Sequence, residues 1–228
     1  MNRTDNVVAL LGMRRRGKTT LLKGGDPLPY GIVDVIDDDI YILDSVGNID
    51  TGMIFEGADH LRRFKIAEMK GVANNPSGIY TVRMATEDTP DEFFRLMSPN
   101  ISKRTAIPGV IVVDEAYQYC TKNSVQPDFN RIMRIGGNYG QSVIMVSHYY
   151  KQLNKKLRNQ TDCIITYEQR SSGDRKDLQK DYPGSPDAGS ITNHEFIIIG
   201  ETRAVPWTLK LSQLPSCIYH PEMSNKTT

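Results

Sequence analysis

Residues 6–22 read NVVALLGMRRRGKTTLL and contain the strongest structural signal in the chain. Its apolar run, VVALL, is typical of a buried parallel strand, and the following GMRRRGKT fits the pattern G-x-x-x-x-G-K-[ST]. Between a strand and the start of a helix, this pattern forms a loop whose backbone N–H groups surround phosphate. The stretch therefore predicts an α/β protein that binds the phosphates of a nucleotide.

The residue types of this phosphate loop explain how it would bind. Glycines lack a Cβ, so the chain can curl with its N–H groups pointing inward, and the next helix adds its positive N-terminal end. We expect Lys18 to reach the β- and γ-phosphates of ATP, and the Thr19 hydroxyl to ligate Mg²⁺. The three loop arginines fit contact with phosphate or with a neighbouring subunit, but a solvated basic loop explains them more readily. The predicted cofactor-binding residues are Gly12, Met13, Arg14, Arg15, Arg16, Gly17, Lys18, Thr19 and Thr20.

A second apolar run, VIVV at residues 110–113, ends in the acidic pair Asp114 and Glu115. Four β-branched residues predict a strand that is buried on both faces and has two carboxylates at its tip. In a nucleotide-hydrolysing site, Asp114 would hold Mg²⁺ through its water shell, and Glu115 would orient and deprotonate the attacking water. Acids are common at strand ends, so this interpretation depends on the phosphate loop upstream.

Strand and helix patterns alternate along the rest of the chain, as in an α/β fold. Glycines at residues 24–25 stop the helix after the phosphate loop within about two turns. Further strands are predicted at residues 40–44, 79–84, 142–148, 163–167 and 196–199. Helices are predicted at residues 61–71, from residue 89, at 127–135 and at 150–159. A long exposed loop around a short helix is predicted at residues 168–190.

Two of these predicted strands end in polar side chains. One ends in Asp44 and another in Ser147 and His148, at the edge where parallel strands deliver side chains to a ligand. His148 is a candidate sensor of the γ-phosphate, although a histidine at a strand end is often held only by ordinary hydrogen bonds.

Two of the predicted helices carry further signals. Thr89 has the position of an N-cap, because Pro90 follows at the first helical position and Glu92 lies three residues after the cap. In the helix PDFNRIMRI, Arg131 and Arg134 lie three residues apart on a flank away from the apolar stripe.

The composition fits one ordinary globular domain. With 228 residues, 39% hydrophobic and 24% charged, the chain can form one α/β core but not a second sizeable domain. We expect a single domain over residues 1–220 and a flexible tail at 221–228. Three scattered cysteines argue against a disulfide framework or a zinc site. No apolar run approaches the length of a membrane span and the first residues do not resemble a secretion signal, so we expect a cytosolic protein.

Charge is unevenly distributed although the net charge is only +1. Residues 26–59 contain nine acids and neither lysine nor arginine, whereas residues 131–180 contain ten basic residues and four acids. The basic segment is suited to an anionic polymer and the acidic segment to a basic neighbour. Such asymmetry is also common on ordinary protein surfaces, so the functional and the purely structural interpretation carry equal weight.

In this order, the segments resemble the FtsK–HerA superfamily of ring-forming ATPases. The resemblance rests on the phosphate loop followed by YILDS, VIVVDEA, RIMRIGG and VIMVSH, and it covers roughly residues 6–200. Among the members of the superfamily, the chain is most similar to the small genome-packaging ATPases of tectivirus-type viruses, which have an internal membrane, and to their archaeal-virus relatives.

The resemblance implies a single RecA-like ASCE P-loop NTPase domain, a mostly parallel sheet flanked by helices with the Asp-Glu strand beside the phosphate-loop strand. It implies a homo-oligomeric ring, hexamer or pentamer, with ATP and Mg²⁺ at subunit interfaces. His148 or Ser147 would be the sensor, and Arg134 or Arg131 would reach the neighbour's ATP. The partners would be double-stranded DNA of any sequence and capsid-vertex or portal proteins. The setting would be the host cytoplasm or the packaging vertex of the virion.

Two other functions remain open at this point. Thymidine-kinase-like enzymes share a similar loop and an Asp-Glu-Ala strand, but they usually carry a four-cysteine zinc lobe that this chain lacks. A secretion or conjugation ATPase of the same superfamily would differ only in what it moves. A partition-type ATPase would need a second lysine near the start of the loop, where Gly12 and Met13 stand.

Overall fold

The computed structural model describes residues 7–12, 17–24, 31–121, 123–191, 195–200 and 207–210. Its strands are β1 (Val7–Leu11), β2 (Ile40–Asp44), β3 (Met53–Glu56), β4 (Ile79–Arg83), β5 (Gly109–Val113), β6 (Gln141–Ser147), β7 (Cys163–Thr166), β8 (Glu195–Gly200) and β9 (Trp207–Lys210). Its helices are α1 (Lys18–Lys23), α2 (Ala58–Met69), α3 (Thr89–Met97), α4 (Pro127–Ile135), α5 (Lys155–Arg158) and α6 (Ser172–Asp181). Within these ranges, every helix is too short or too polar to span a lipid bilayer.

The described strands belong to one sheet, in the order β3-β4-β2-β5-β6-β1-β7-β8-β9. Neighbouring strands are parallel from β3 through β7, whereas β7 with β8 and β8 with β9 are antiparallel. Every residue of β2 and β5 is buried, which explains their continuous apolar sequence. The mostly parallel α/β sheet that the sequence predicted is confirmed.

Helices cover both faces of this sheet. In β2, Tyr41 and Leu43 belong to one apolar cluster and Ile40 and Ile42 to another, because successive strand residues point to opposite faces. The first cluster includes apolar residues of α2, α3 and α4, and the second includes those of α1. The sheet is therefore the middle layer of three.

The prediction that the Asp-Glu strand lies beside the phosphate-loop strand was wrong. The strand β6 lies between them, paired in parallel with β1 on one side and β5 on the other. After β5 the chain passes through α4 and returns as β6, and the other edge of β1 is already occupied by β7. The tip of β6 therefore lies between the phosphate loop and the acidic pair.

Several element boundaries also differ from the prediction. Strands β3 and β9, each of four residues, were not predicted. The helix expected at residues 150–159 is a 3₁₀ turn followed by the short α5, because the Asn154 side chain accepts the N–H of Lys156 and starts a new helix. Thr89 is the first residue of α3 rather than its cap, and its hydroxyl accepts N–H groups from Ala85 and Thr86.

The segment at residues 168–190, expected to be an exposed loop, is partly buried. It contains α6, and Gln169, Asp174 and Leu178 are almost inaccessible to solvent. Residues 211–228 lie outside the described residues, so the predicted tail at 221–228 and the limit of the domain stay predictions.

Asp44 organises a turn instead of presenting its carboxylate to a ligand. Its side chain is fully buried. One oxygen accepts the backbone N–H groups of Val46, Gly47 and Asn48, and the other accepts that of Ile49 at 2.9 Å. Four donors that have no partner in a strand are thus satisfied by one carboxylate, which fixes the turn after β2.

We predict that Asp44→Ala lowers the free energy of unfolding by about 2–4 kcal/mol, because it leaves buried N–H groups without an acceptor. Urea denaturation followed by circular dichroism measures this change. Asp50→Ala is the control, since Asp50 is 67% exposed and its ion pair with Arg83 is worth about 1 kcal/mol at most. Equal losses in the two variants would contradict the assigned role of Asp44.

Candidate functional site

The C-terminal ends of β5, β6, β1 and β7 lie side by side at one edge of the sheet. Parallel α/β sheets bind ligands at this edge, because loops from neighbouring strands meet there. The phosphate loop follows β1, the pair Asp114 and Glu115 follows β5, and His148 follows β6. Three segments that are far apart in the sequence are therefore brought together.

The structure describes both ends of the phosphate loop. Gly12 N donates to Ser147 O at 3.2 Å, which fixes the start of the loop against the tip of β6. Gly17 has φ 96° and ψ 8°, a left-handed conformation that favours glycine, and it is the N-cap of α1. Lys18 and Thr19 open that helix, as predicted. The middle of the loop lies outside the described residues: Met13, Arg14, Arg15 and Arg16.

Lys18 is joined to Glu115 through His148. The Lys18 ammonium is buried, donates to Gly12 O and lies 3.2 Å from His148 Nδ1. His148 Nε2 lies 3.0 Å from Glu115 Oε1. The lysine predicted to hold phosphate and the carboxylate predicted to activate water are therefore linked by one imidazole.

Three groups surround the imidazole of His148. The Lys18 ammonium can only donate, so His148 Nδ1 is the acceptor in that contact, and Gly12 O lies 3.4 Å from the same nitrogen. On the other side of the ring, the 3.0 Å approach of Nε2 to Glu115 Oε1 is a close contact rather than an aligned hydrogen bond. The contacts thus connect Lys18, His148 and Glu115 in that order.

Glu115 is held in an unusual state. Its backbone has φ 50° and ψ 44°, a left-handed conformation that costs a non-glycine residue about 1–2 kcal/mol. Its Oε2 is buried and has no hydrogen-bond partner among the described residues. Backbone strain and an unsatisfied buried oxygen in one residue are typical of a site that a ligand completes.

The environment of Asp114 disfavours its charge. Burial, followed by the nearby carboxylates of Glu115 and Asp44, raises the pKa of Asp114 to about 7. The Lys18 ammonium acts in the opposite direction but more weakly. Three carboxylates and one ammonium group thus share this edge of the sheet, which leaves an excess of negative charge.

The excess of negative charge at this edge of the sheet favours the binding of a cation such as Mg²⁺. Asp114 lies at the tip of β5 and the exposed Thr19 at the start of α1, and their oxygens are the ligand type that Mg²⁺ prefers. Among the described residues, no group of three or more His, Cys, Asp or Glu could hold a metal ion by itself.

Two contacts of the site were missed from the sequence. Tyr167, the residue after β7, packs against Gly12 and donates its hydroxyl to Gly17 O at 3.3 Å. Ser45 donates to the backbone oxygen of Asp114 at 2.8 Å and lies 2.6 Å from the Tyr119 hydroxyl. Tyr167 and Tyr119 belong to none of the motifs, and Ser45 is part of the YILDS segment but has no predicted role, so only the folded structure reveals these contacts.

The two arginines of α4 lie away from the phosphate loop of their own chain. Arg134 lines a cleft of about 420 Å³ with Val7 and Gln141, at the N-terminal ends of β1 and β6. The phosphate loop follows the other end of β1, about 16 Å away. Arg131 is engaged with Asp128 at 3.0 Å, whereas Arg134 forms no salt bridge with a described carboxylate.

Much of the charge asymmetry seen in the sequence is paired inside the fold. In the acidic segment, Asp39, Asp50 and Asp59 form salt bridges with basic residues further along the chain. In the basic segment, Arg158 contacts the carboxylate of Asp181 at 3.3 Å. The acidic segment is therefore less available to a basic neighbour than its sequence suggests.

No protein-family model matches the chain, and no curated protein sequence matches it. Two solved structures of virus proteins are similar over nearly their whole length. The genome packaging NTPase B204 of Sulfolobus turreted icosahedral virus 2, in complex with ATP-gammaS, has a TM-score of 0.68 and 18% identity, over 92% of this chain and 98% of that chain. The DNA-packaging ATPase B204 of Sulfolobus turreted icosahedral virus has a TM-score of 0.65 and 16% identity, over 90% and 97%.

A third similar structure is the cytoplasmic domain of the type VII secretion ATPase EccC of Thermomonospora curvata. Its TM-score is 0.52 at 11% identity, over 91% of this chain and 24% of that chain. At such identities the similarity shows the fold. The single RecA-like P-loop NTPase domain implied by the resemblance is therefore confirmed, and virus packaging enzymes are among the proteins that share it.

We predict that Asp114→Asn stabilises the ligand-free protein above pH 7. The pKa of Asp114 is about 7 in the folded protein and about 4 in an unfolded chain, so its ionisation lowers folding stability as the pH rises between these values. In EDTA without nucleotide, the melting temperature of the variant should exceed that of the wild type by a few degrees at pH 8 and equal it near pH 4. The exposed Glu87→Gln should show no such pH dependence. A variant no more stable than the wild type at pH 8 would refute the assigned repulsion.

Proposed function

We propose that the chain is an oligomeric ATPase that couples Mg·ATP hydrolysis to the movement of double-stranded DNA during viral genome packaging. The observation that carries the hydrolysis is the contact chain from Lys18 through His148 to Glu115, beside a phosphate loop. Phosphate binding alone does not require a buried carboxylate that is connected to the lysine through a histidine. The similarity to virus packaging NTPases supports the choice of cargo.

Glu115 is suited to act as the general base. His148 Nε2 lies 3.0 Å from Oε1, and Oε2 lacks a hydrogen-bond partner among the described residues, so Oε2 can accept a proton from water. As the water oxygen bonds to the γ-phosphorus, its proton passes to Glu115. The bond to the bridging oxygen then breaks, and ADP leaves with that electron pair.

Lys18, Thr19 and Asp114 would position the substrate. Binding of ATP would draw the Lys18 ammonium from Gly12 O to the β- and γ-phosphates. When bound, Mg²⁺ neutralises charge on these phosphates, and the Thr19 hydroxyl and Asp114 are the groups that would hold it. His148 contacts both Lys18 and Glu115, which suits the role of γ-phosphate sensor.

Four exposed lysines support contact with an anionic polymer. Lys155 and Lys156 belong to α5, and Lys176 and Lys180 lie one turn apart on α6. None of them forms a salt bridge with a described carboxylate, whereas the arginines of both helices do. Such lysines attract the phosphate backbone without reading bases, as an enzyme that packages any sequence requires.

The position of Arg134 supports the oligomer. Arg134 lies at the N-terminal ends of β1 and β6, whereas the phosphate loop follows the C-terminal end of β1. Any ATP that Arg134 contacts is therefore bound by another subunit. In a ring of five or six subunits, the side of one subunit that carries Arg134 faces the phosphate-loop side of the next subunit. Arg134 is the better candidate for this contact, because Arg131 is already paired with Asp128.

The setting that follows is the host cytoplasm or the packaging vertex of a virion, with capsid-vertex or portal proteins as partners. A secretion ATPase is the second candidate, because EccC shares the fold. The thymidine-kinase-like alternative gains no support: of the three cysteines, Cys120 and Cys163 lie far apart in the chain, and Cys217 lies outside the described residues.

We predict that double-stranded DNA of any sequence stimulates ATP hydrolysis at low salt and that the stimulation declines steeply as salt rises. Steady-state phosphate release, with and without DNA and with thymidine as a control acceptor, measures this. Changing Lys155, Lys156, Lys176 and Lys180 together to Gln should remove the stimulation, whereas the exposed Lys70→Gln and Lys103→Gln should keep it. DNA-indifferent hydrolysis would indicate a secretion-type motor, and phosphorylated thymidine would indicate a kinase.

We predict that Glu115→Gln binds ATP but hydrolyses it at least about 100-fold more slowly, because the amide cannot accept the proton of the attacking water. His148→Gln should lower kcat less and leave ATP affinity nearly unchanged. Single-turnover hydrolysis and equilibrium binding separate the two effects. Glu92→Gln, an exposed carboxylate on α3, is the control. Normal turnover in Glu115→Gln would remove Glu115 from this role.

We predict that Arg134→Ala abolishes most turnover, since an arginine supplied by a neighbouring subunit is worth about 10³- to 10⁵-fold in related reactions. Mixing Arg134→Ala with Glu115→Gln subunits should restore activity at hybrid interfaces, where one subunit contributes an intact base and the other an intact arginine. Arg131→Ala is the comparison and should retain turnover. No recovery at any mixing ratio would contradict an action between subunits.

A further inference from the structure

Tyr167 contacts both ends of the phosphate loop. Its side chain packs so closely on Gly12 that a Cβ placed there would lie 2.7 Å from the Tyr167 Cβ. Its hydroxyl donates to Gly17 O at 3.3 Å. The tyrosine follows β7, on the side of β1 away from β6, and so it is separate from the chain of groups that leads to Glu115.

The hydrogen bond to Gly17 determines how the next peptide faces the ligand. Gly17 O also accepts the N–H of Leu21 at 2.7 Å, the first hydrogen bond of α1. In a planar trans peptide the C=O and N–H point in opposite directions. Two donors on Gly17 O therefore direct the N–H of Lys18 away from the helix and toward the loop, where phosphate would bind.

The surroundings of Tyr167 hold it rigidly. Its side chain is fully buried, and its ring lies 5.6 Å from that of Phe196 on β8, measured between centroids. Its backbone N–H donates to Leu11 O at 2.9 Å, directly beside the loop. Burial raises the pKa of the Tyr167 hydroxyl above its usual value, so the group remains a donor over the working pH range.

We propose that Tyr167 is a positioning residue that holds the two described ends of the phosphate loop, Gly12 and Gly17, in place before the nucleotide arrives. The ring limits how far Gly12 can move, and the hydroxyl holds the Gly17 peptide. Preorganisation of this kind strengthens binding by reducing the ordering that the ligand must bring about. The proposal rests on the proposed nucleotide binding, and it concerns affinity rather than the chemical step.

The test compares Tyr167→Phe with the wild type. The variant keeps the ring on Gly12 but loses the hydroxyl, so we expect the KM for ATP and the Kd for ADP to rise about 3- to 10-fold, the size of one lost hydrogen bond. Because the loop contacts the phosphates equally in the ground state and the transition state, kcat should remain within about 2-fold. Titration calorimetry with ADP and steady-state hydrolysis of ATP supply the two readouts.

Tyr41→Phe is the matched control. Tyr41 is also fully buried in a strand, and its hydroxyl donates to Asp39 at 2.9 Å, near the opposite edge of the sheet. The control also loses the hydrogen bond of a buried tyrosine hydroxyl, in this case to a carboxylate, and should lower stability without changing KM or the Kd for ADP. A merely structural role of Tyr167 would make the two variants behave alike.

The outcomes separate this proposal from the function on which it rests. If the wild type binds neither ATP nor ADP, the proposed function fails. If the wild type binds and Tyr167→Phe binds equally well, or if its kcat falls while KM is unchanged, the positioning role of Tyr167 is overturned. Tyr167→Leu, which also removes the ring from Gly12, should raise the Kd for ADP further than Tyr167→Phe does, and an equal Kd in the two variants would also count against it.

Discussion

The pairing of β1 on both of its edges is the constraint on which the site depends. With β6 on one side and β7 on the other, the phosphate loop at the end of β1 is flanked by the tips of both strands. The tip of β6 supplies His148, which contacts Lys18 and Glu115, and the tip of β7 leads to Tyr167, which contacts Gly12 and Gly17. The groups proposed for the chemical step and the tyrosine proposed to position the loop therefore reach it from opposite sides of β1.

The fold could be predicted largely because β1 and β5 are continuous apolar runs typical of buried parallel strands, and because the phosphate-loop motif follows the first of them. The errors occurred where the decisive interaction is not local. The order of β1, β5 and β6 depends on strand pairing across the sheet, which neither run encodes. The four-residue β3 and β9 have no pattern long enough to distinguish them from loops.

The residues of the candidate site also divide into those that sequence motifs revealed and those that only the structure revealed. Lys18, Thr19, Asp114 and Glu115 belong to motifs, because phosphate and metal chemistry allows few substitutes. Asp44 looked like another site residue because it ends a strand, but the free N–H groups of the following turn engage both of its oxygens. Nothing in the sequence indicates the role of Tyr167. A tyrosine at the end of an apolar strand is usually a core residue, and only the structure shows that it contacts Gly12 and Gly17.

Two charged clusters of this fold differ in how well their own members satisfy them, and this difference indicates where the functional site lies. Lys65, near the edge opposite the phosphate loop, is mostly buried, pairs with Glu68 at 2.6 Å and Asp39 at 3.3 Å, and lies 4.5 Å from the ring centre of Tyr80. This cluster is satisfied by its own members and gains nothing from a ligand. The cluster around Glu115 has the opposite properties: a left-handed backbone, an unpartnered buried oxygen and a neighbouring Asp114 whose charge is disfavoured. Proteins retain such local costs where binding or catalysis requires them, and this second cluster is the one that lies at the phosphate loop.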